Sequence, residues 1–478
     1  MKIHGGYTPK ISGKPKSNVE ELPLPGVLQL SLERGGLSYK PIVKNGQKVE
    51  FGDSLAEASL NGGTLLLPSP ASAKVTLIQN NGKKSLALEV SDAGIIIGKY
   101  EKFQPQRITA EKMRQALAKG GIWPLFWSSR TGEIPALTET RLPKAIIVNC
   151  ILTEPFRARG KVILRRSWNR IVAGIRFLPR LLVDYGTIQI ILTARHDPVA
   201  RMMYVDLAGH ALVRFHSVPL LYPIENPRIL SQAIRKSDSS FKKDDVIWAI
   251  DVQGVEALGA CLAEGLPLYQ RVVAAGGPGH SSPKHLCVRI GTPVTALMSE
   301  DNKPGGGKPP ESLILRGGLI RGEPVDSVTG AVQYDDDAFF FLPSAAERQF
   351  ISFMRPGFDR TSYLPCFASR ITGAPDRHIS TMQRGEKRPC IACGLCESAC
   401  PARLIPQVLH RYLYRESLDE AEKAGLNLCV NCGLCTYICP SKIELQKQFL
   451  EAREQIRLEH EEIAAAASSK SEKNENSI

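Results

Sequence analysis

The sequence predicts a multidomain α/β and β protein closed by an all-helical, cysteine-rich domain. Three observations predict this. At 478 residues the chain exceeds what one core of ordinary size encloses. Short alternating apolar runs with Gly-rich turns fill the first hundred residues, whereas helix-like and strand-like stretches alternate over 108–250. Near the end, "CIACGLCESACP" (390–401) is followed by "CVNCGLCTYICP" (429–440), two copies of one cysteine spacing.

Composition bounds the function. Apolar residues make up 43% and charged residues 23%, as in an ordinary soluble globular protein. The longest apolar runs, such as "AIIVNCIL" (145–152), are strand-sized, so no membrane span is expected. The start, "MKIHGGYTPKISGKP", lacks the apolar core of a signal peptide, which predicts retention in the cytosol. The net charge of +13 fits a solvated basic surface, an acidic partner or an anionic membrane surface. Nucleic acid is the weakest reading and is not expected as a partner, because no recognition motif or aromatic–basic interleaving accompanies the charge. The densest basic stretch, 156–180, contains no acid. Ile171, Ile175, Leu178 and Leu182 recur there at helical spacing, predicting a core-facing helix with a basic outer face.

Over 36–97, Asn-Gly, Gly-Asp and Gly-Gly turns separate alternating runs, which read as hairpins. The "NGQKVEFGD … SPASAKV" rhythm resembles a biotinyl/lipoyl-type barrel-sandwich, assigned to 1–100. Carriers of that type present a modified lysine on the central hairpin; here the tip reads "EASLNGG" and has none. A structural or docking role is expected instead.

From 101 to 255 the order is helix ("TAEKMRQALAKGG"), buried strand ("KAIIVNCIL"), helix ("SWNRIVAGIRFLPRLLVDYG") and strand ("TIQIILTA"). That alternation predicts a Rossmann-like parallel sheet. The runs "LYQRVVAAGGPG", "HLCVRIGTPV" and "SLILRGGLIRGEPV" read as strands of a small α+β domain of β-grasp-like, SLBB type over 256–365. "NKPGGGKPPE" between the last two is a flexible loop, and "AAGGPGHSS" (274–282) a turn.

Eight of the twelve cysteines follow C-x₂-C-x₂-C-x₃-C-P twice. In a cytosolic setting metal or redox chemistry outranks disulfides. One CxxC pair suits zinc equally well. The third CxxC step favours a cubane: three thiolates on a tight loop grip three corners, and the fourth cysteine is thrown toward the other cluster. Cys390, Cys393, Cys396 and Cys439 are thereby assigned to one [4Fe-4S] cluster, and Cys429, Cys432, Cys435 and Cys400 to a second. Gly394 and Gly433 let each loop curl over its cluster, while Pro401 and Pro440 fix the chain direction. Pro406 suits a first helical turn, "SLDE" (417–420) and "SKIE" (441–444) read as capping boxes, and Gly425 as a helix stop. The result is a helical two-cluster ferredoxin domain over 380–460, with a polar tail expected to be disordered over 461–478. Cys150, Cys261, Cys287 and Cys366 are scattered and read as buried structural thiols. Clusters pass single electrons but do not split a hydride, which takes a flavin or similar cofactor, so the preceding residues are where one would have to be sought.

The order of parts resembles the NqrA-type subunits of Na⁺-translocating NADH:quinone reductases (Nqr) and the related RnfC-type subunits of the Rnf electron-transport complex. "SGKP" (12–15), "SPASAKV" (69–75), "GGIWPLF" (120–126), "IIVNCILTEPF" (146–156), "VQGVEALG" (252–259), "VRIGTPV" (288–294) and "FISFMRPGFDRTSY" (350–363) carry the resemblance. "GGIWPLF" and the last phrase are closer to the Nqr type. "HGGYTP" (4–9) and the eight-cysteine tail are closer to the Rnf type. In the latter, the resemblance implies a glycine-rich loop and an NGAECEPY-type stretch that cradle NADH and FMN. Here the first reads "AKGGIWPLFWSSR" (118–130), with Trp123, Phe126 and Trp127 where close backbone approach needs small residues. The second keeps only Asn149, Glu154 and Pro155. FMN and NADH binding are therefore expected to be lost from this chain.

What the resemblance implies is a peripheral electron-transfer subunit on the cytoplasmic face of the inner membrane, partnered by membrane and flavin subunits. Such a complex couples NADH:quinone (or ferredoxin) electron transfer to Na⁺ or H⁺ translocation. The resemblance also raises a quinone site, to which no residue is assigned. Two alternatives stay open at this point: a soluble flavin- and NADH-dependent iron–sulfur reductase of corrinoid-reductase type, and a docking adaptor whose clusters are structural.

Overall fold

The computed structural model describes residues 3–80, 83–92, 96–193, 198–207, 209–298, 312–344, 357–358, 363, 367–372, 379–381 and 386–475. Cys366, the loop "NKPGGGKPPE" and most of "FISFMRPGFDRTSY" lie outside the described residues.

Alternating apolar residues put one face of each N-terminal strand inside. One antiparallel sheet runs in the order Val27–Ser31, Lys83–Asp92, Ser72–Asn80, Lys48–Val49; a second pairs Lys40–Pro41, Ser54–Leu60 and Gly63–Pro68. Leu28, Leu30, Leu55, Leu65, Leu67, Val75, Leu86 and Leu88 from both sheets share one core and are fully buried. The central hairpin tip does not swing free. The Thr138 hydroxyl donates to the Asn61 carbonyl at 2.9 Å, and a Cβ at Gly63 would stand 2.7 Å from that of Leu137.

A five-stranded sheet follows, ordered Trp127–Ser128, Ile247–Asp251, Ala145–Asn149, Thr187–Leu192, Val213–Ser217. The last four strands are parallel and the first antiparallel. Every residue of Ala145–Asn149 is buried, which is why that stretch reads as a continuous apolar run. The helix expected through Leu182 ends at Phe177, and Pro179 forces a tighter turn over Leu178–Leu181. Ile171, Ile175, Leu178 and Leu182 nevertheless all face the core.

The next sheet is mixed and six-stranded: Val19–Glu21, Lys284–Arg289, Gln270–Gly276, Ala338–Pro343, Ser312–Arg316, Glu323–Val325. Its first strand comes from the N-terminal stretch, which the sequence groups with the preceding β sheets. Glu20 pairs with Lys284 at 2.8 Å and Glu21 with Arg166, holding that edge in place.

The C-terminal part is helical: Leu395–Ala399, Pro406–Tyr414, Leu418–Lys423, Leu434–Ile438 and Leu445–Glu475. Leu445, Phe449, Ala452 and Ile456 form one face of the last helix and close on Leu404, Leu409, Ala421 and Leu426. Neither expected capping box forms. The Ser417 hydroxyl turns to the Arg415 carbonyl, and that of Ser441 donates to the Pro389 carbonyl at 2.9 Å. Thr436 accepts from the Gln446 backbone N–H at 2.8 Å, so the last helix is capped from a neighbouring element. That helix continues to Glu475, where the sequence predicts disorder from 461. Residues 461–475 contain Ala, Glu and Lys, all good helix formers, and no Gly or Pro.

Candidate functional site

The two cysteine loops share one backbone path. Gly394 and Gly433 both sit at φ 71° and open the short helices Leu395–Ala399 and Leu434–Ile438. Two further matched pairs adopt positive φ without being glycine: Ala392 and Asn431 (52° and 55°), then Arg403 and Lys442 (58° and 55°). Sequence reasoning found the glycines and missed these four. Their equivalent places in the two repeats were the available signal.

The chain crosses over between the loops. Cys390, Cys393 and Cys396 surround one small hollow together with Cys439 from the second repeat. Cys429, Cys432 and Cys435 surround another together with Cys400 from the first. The remaining lining is apolar apart from Gln407, His410, Ser441, Asn431 and Gln446. Among the described residues no three His, Cys, Asp or Glu side chains converge as a single metal ion requires. Four thiolates spaced round a hollow suit a cluster, in which each grips a different iron.

The two hollows differ in surroundings. Cys390 and Cys393 are exposed, whereas Cys432 is buried. Burial pushes the Cys432 thiol up to about 12 and the Cys396 thiol up to about 11. Cys435 is raised well above its usual value, by burial first and then by Cys432, Cys429, Cys400 and Cys396. That set spans both hollows, and Cys396, Cys400, Cys429 and Cys435 pack against one common core.

The second hollow rests on the α/β domain. The Tyr222 side chain is fully buried, and its hydroxyl donates to the Cys432 carbonyl. Ile320, Tyr7, Tyr363 and Val430 pack round that contact. The N-terminal stretch is threaded into the same joint. The Gly6 N–H donates to the Ala399 carbonyl at 3.0 Å, and the Tyr7 N–H donates to the Tyr222 carbonyl at 2.8 Å. A Cβ on Gly5 would lie 2.6 Å from the Ala399 oxygen.

The residues that would correspond to a nucleotide site are occupied by internal contacts. Trp123 is fully buried; its indole N–H donates to the Pro135 carbonyl at 2.7 Å, and its ring meets Trp248 edge-on at 5.5 Å. Trp127 donates to the Gly132 carbonyl at 2.9 Å. A Cβ on Gly120 would meet the Cys261 sulfur, and one on Gly121 the Pro68 ring, both at 2.8 Å. The small residues thus admit neighbouring protein atoms. Asn149 donates to the Glu225 carbonyl at 3.0 Å. The Glu154 carboxylate accepts from the Ile320 and Arg321 N–H groups at 3.0 and 2.8 Å and pairs with the Arg321 side chain at 3.2 Å. Glu225 accepts from the Thr153 hydroxyl and is raised by burial, which Arg157 partly offsets. Of the scattered cysteines, Cys150, Cys261 and Cys287 are buried, and burial raises all three thiols.

Two family models match the chain: "NqrA second alpha/beta domain" over residues 108–266 and "4Fe-4S dicluster domain" over residues 386–443. Relatives align along nearly the entire chain. The NqrA subunit of the Na(+)-translocating NADH-quinone reductase of Cellvibrio japonicus (strain Ueda107) is 25% identical over 432 residues, covering 89% of this chain and 92% of the relative. Its counterpart in Pasteurella multocida (strain Pm70) is 26% identical over 437 residues, covering 88% and 91%, and that in Pseudomonas aeruginosa (strain UCBPP-PA14) 24% over 430, covering 89% and 92%. These relatives are subunits of an oxidoreductase complex. Among solved structures, an NAD+-reducing [NiFe]-hydrogenase in the air-oxidized state overlaps 52% of each chain at 11% identity and a TM-score of 0.36, too loosely to bear on function. Among the described residues no helix is long and apolar enough to cross a membrane.

Proposed function

We propose that this chain is the electron-relaying peripheral subunit of an Nqr/Rnf-type membrane complex and carries two [4Fe-4S] clusters. Cys390, Cys393, Cys396 and Cys439 hold one, and Cys429, Cys432, Cys435 and Cys400 the other. The observation that carries the reading is the crossover: each hollow takes three cysteines from one repeat and its fourth from the other. The matched dicluster region and the NqrA relatives support the same assignment.

When bound, each cluster supplies a one-electron carrier. The protein's part is to hold the thiolates, exclude water from the second hollow and set the spacing through the shared core of Leu404, Leu409 and Phe449. The thiols stand raised by burial, so taking up a cluster must displace their protons. In this proposal the N-terminal sheets form a barrel-sandwich, the α/β domain is Rossmann-like with its nucleotide loop filled from within, and the six-stranded part is SLBB-like. Hydride chemistry, and any FMN and NADH, then belong to another subunit. The complex faces the cytoplasm and passes electrons between NADH and quinone or ferredoxin, coupled to Na⁺ or H⁺ movement.

The test is the absorbance spectrum and metal content of the purified full chain. The relay reading expects broad absorption without flavin bands, and about eight iron and eight sulfide per chain. Bound flavin, or bleaching of the isolated chain by NADH, would shift the assignment to a self-contained reductase.

A further inference from the structure

Two arginines from distant parts of the chain meet at the second cysteine loop. Arg228 opens the helix Pro227–Ser237 of the α/β domain, and Arg453 lies on the C-terminal helix. The Arg453 guanidinium donates to the Cys429 carbonyl at 3.1 Å, and that of Arg228 donates to the Asn427 carbonyl at 3.0 Å. Among the described residues neither forms an ion pair, whereas Arg457, one turn beyond Arg453, takes both Glu454 and Glu461.

The two carbonyls they reach lie two residues apart on one loop, and the two charges feel each other. Burial, then the like charge of Arg453, lowers the pKa of Arg228. The N-terminus of the helix Pro227–Ser237 points the same way, since the Asn226 side-chain amide reaches the Val430 carbonyl at 3.5 Å. Two unpaired cations and a positive helix end repel one another unless an anion stands before them. Around the first loop, 390–396, by contrast, no arginine or lysine side chain among the described residues donates to a backbone carbonyl, and Lys387, just before it, is paired with Glu444.

We propose that Arg228 and Arg453 are the charge partners of the iron–sulfur group held by Cys400, Cys429, Cys432 and Cys435, and selectively raise its midpoint potential. The inference rests on the two-cluster reading above. Reduction brings one electron from an external one-electron reductant such as dithionite, with no bond made or broken. It adds one negative charge to a group already anionic through its four thiolates. Fixed positive charge at the loop stabilises that reduced form more than the oxidised one.

The test is a redox titration of the full, cluster-loaded chain, followed by electron paramagnetic resonance, with iron and sulfide counted in every sample. Arg228→Met and Arg453→Met are each expected to move one of two transitions to more negative potential and leave the other in place. The double variant is expected to move it further, and Arg228→Lys and Arg453→Lys to stay near the wild type. Met variants that titrate like the wild type, or in which both transitions move together, overturn the proposal. Should a Met variant lose iron, recovery of iron and potential in the Lys variant supports it, and failure to recover overturns it. A wild-type chain with a single transition would instead count against the two-cluster reading itself.

Discussion

The Tyr222 hydroxyl donates to the backbone carbonyl of Cys432, so the α/β domain holds a cysteine loop by its main chain. Both groups are buried, and Phe in place of Tyr would leave the carbonyl unpaired. Such a loss costs about 1–3 kcal/mol. Tyr222→Phe is expected to release iron at a lower denaturant concentration than the wild type, read from absorbance during unfolding. An unchanged midpoint would mean that water or another donor replaces the hydroxyl.

The same joint separates what was legible in the sequence from what was not. Cys390 through Cys439 declared themselves by local spacing, because each loop is built from residues close in sequence. Tyr222 and Gly5 did not, because their partners Cys432 and Ala399 lie in another domain and no periodicity encodes a long-range contact. "HGGYTP" and the cysteine tail were the two features that looked Rnf-like, and the structure shows them touching: the Gly6 N–H meets the Ala399 carbonyl. Caps failed for a related reason. Ser417 and Ser441 had the right local pattern, but tertiary partners claimed the hydroxyl of Ser441 and the start of the last helix.

The crossed ligand sets predict a particular iron count. Cys396→Ser and Cys435→Ser each disable one hollow, so each is expected to reduce iron from about eight to about four per chain. Cys150→Ser, which changes a buried thiol of the α/β domain, should leave iron unchanged. If Cys396→Ser left the full complement, the assignment of that cysteine would fall.

His285 predicts how stability changes with pH. Its Nδ1 faces the Lys16 carbonyl and its Nε2 accepts from the Arg159 N–H at 3.3 Å, an arrangement only the neutral ring satisfies. Burial lowers its pKa from 6.5 to about 4. The unfolded chain therefore binds a proton that the folded chain refuses, and the stability present above pH 6.5 drains away as pH falls toward 4. At about 1.4 kcal/mol per unit the full effect is about 3 kcal/mol. Gln supplies one donor and one acceptor without titrating, so His285→Gln is expected to flatten urea-unfolding stability across this window. A variant that kept the wild-type slope would locate the titrating group elsewhere.

Gly394 and Gly433 are twins in sequence and in backbone angle, yet their surroundings predict unequal responses to alanine. Both need positive φ, which costs an L-residue about 1–2 kcal/mol. At Gly394 an added Cβ meets nothing within 4 Å, so Gly394→Ala should lose that strain energy alone. At Gly433 it would stand 2.5 Å from the Gln446 side-chain oxygen and 3.1 Å from Ile320. Gln446 also donates to the Asn431 carbonyl at 3.2 Å, inside the loop that carries Cys432, so displacing it loosens the loop as well. Gly433→Ala is therefore expected to be the more destabilising in denaturant unfolding and to shed iron first from the second hollow. Equal losses from the two variants would show that Gln446 swings aside freely, and that the joint with the α/β domain does not constrain this loop.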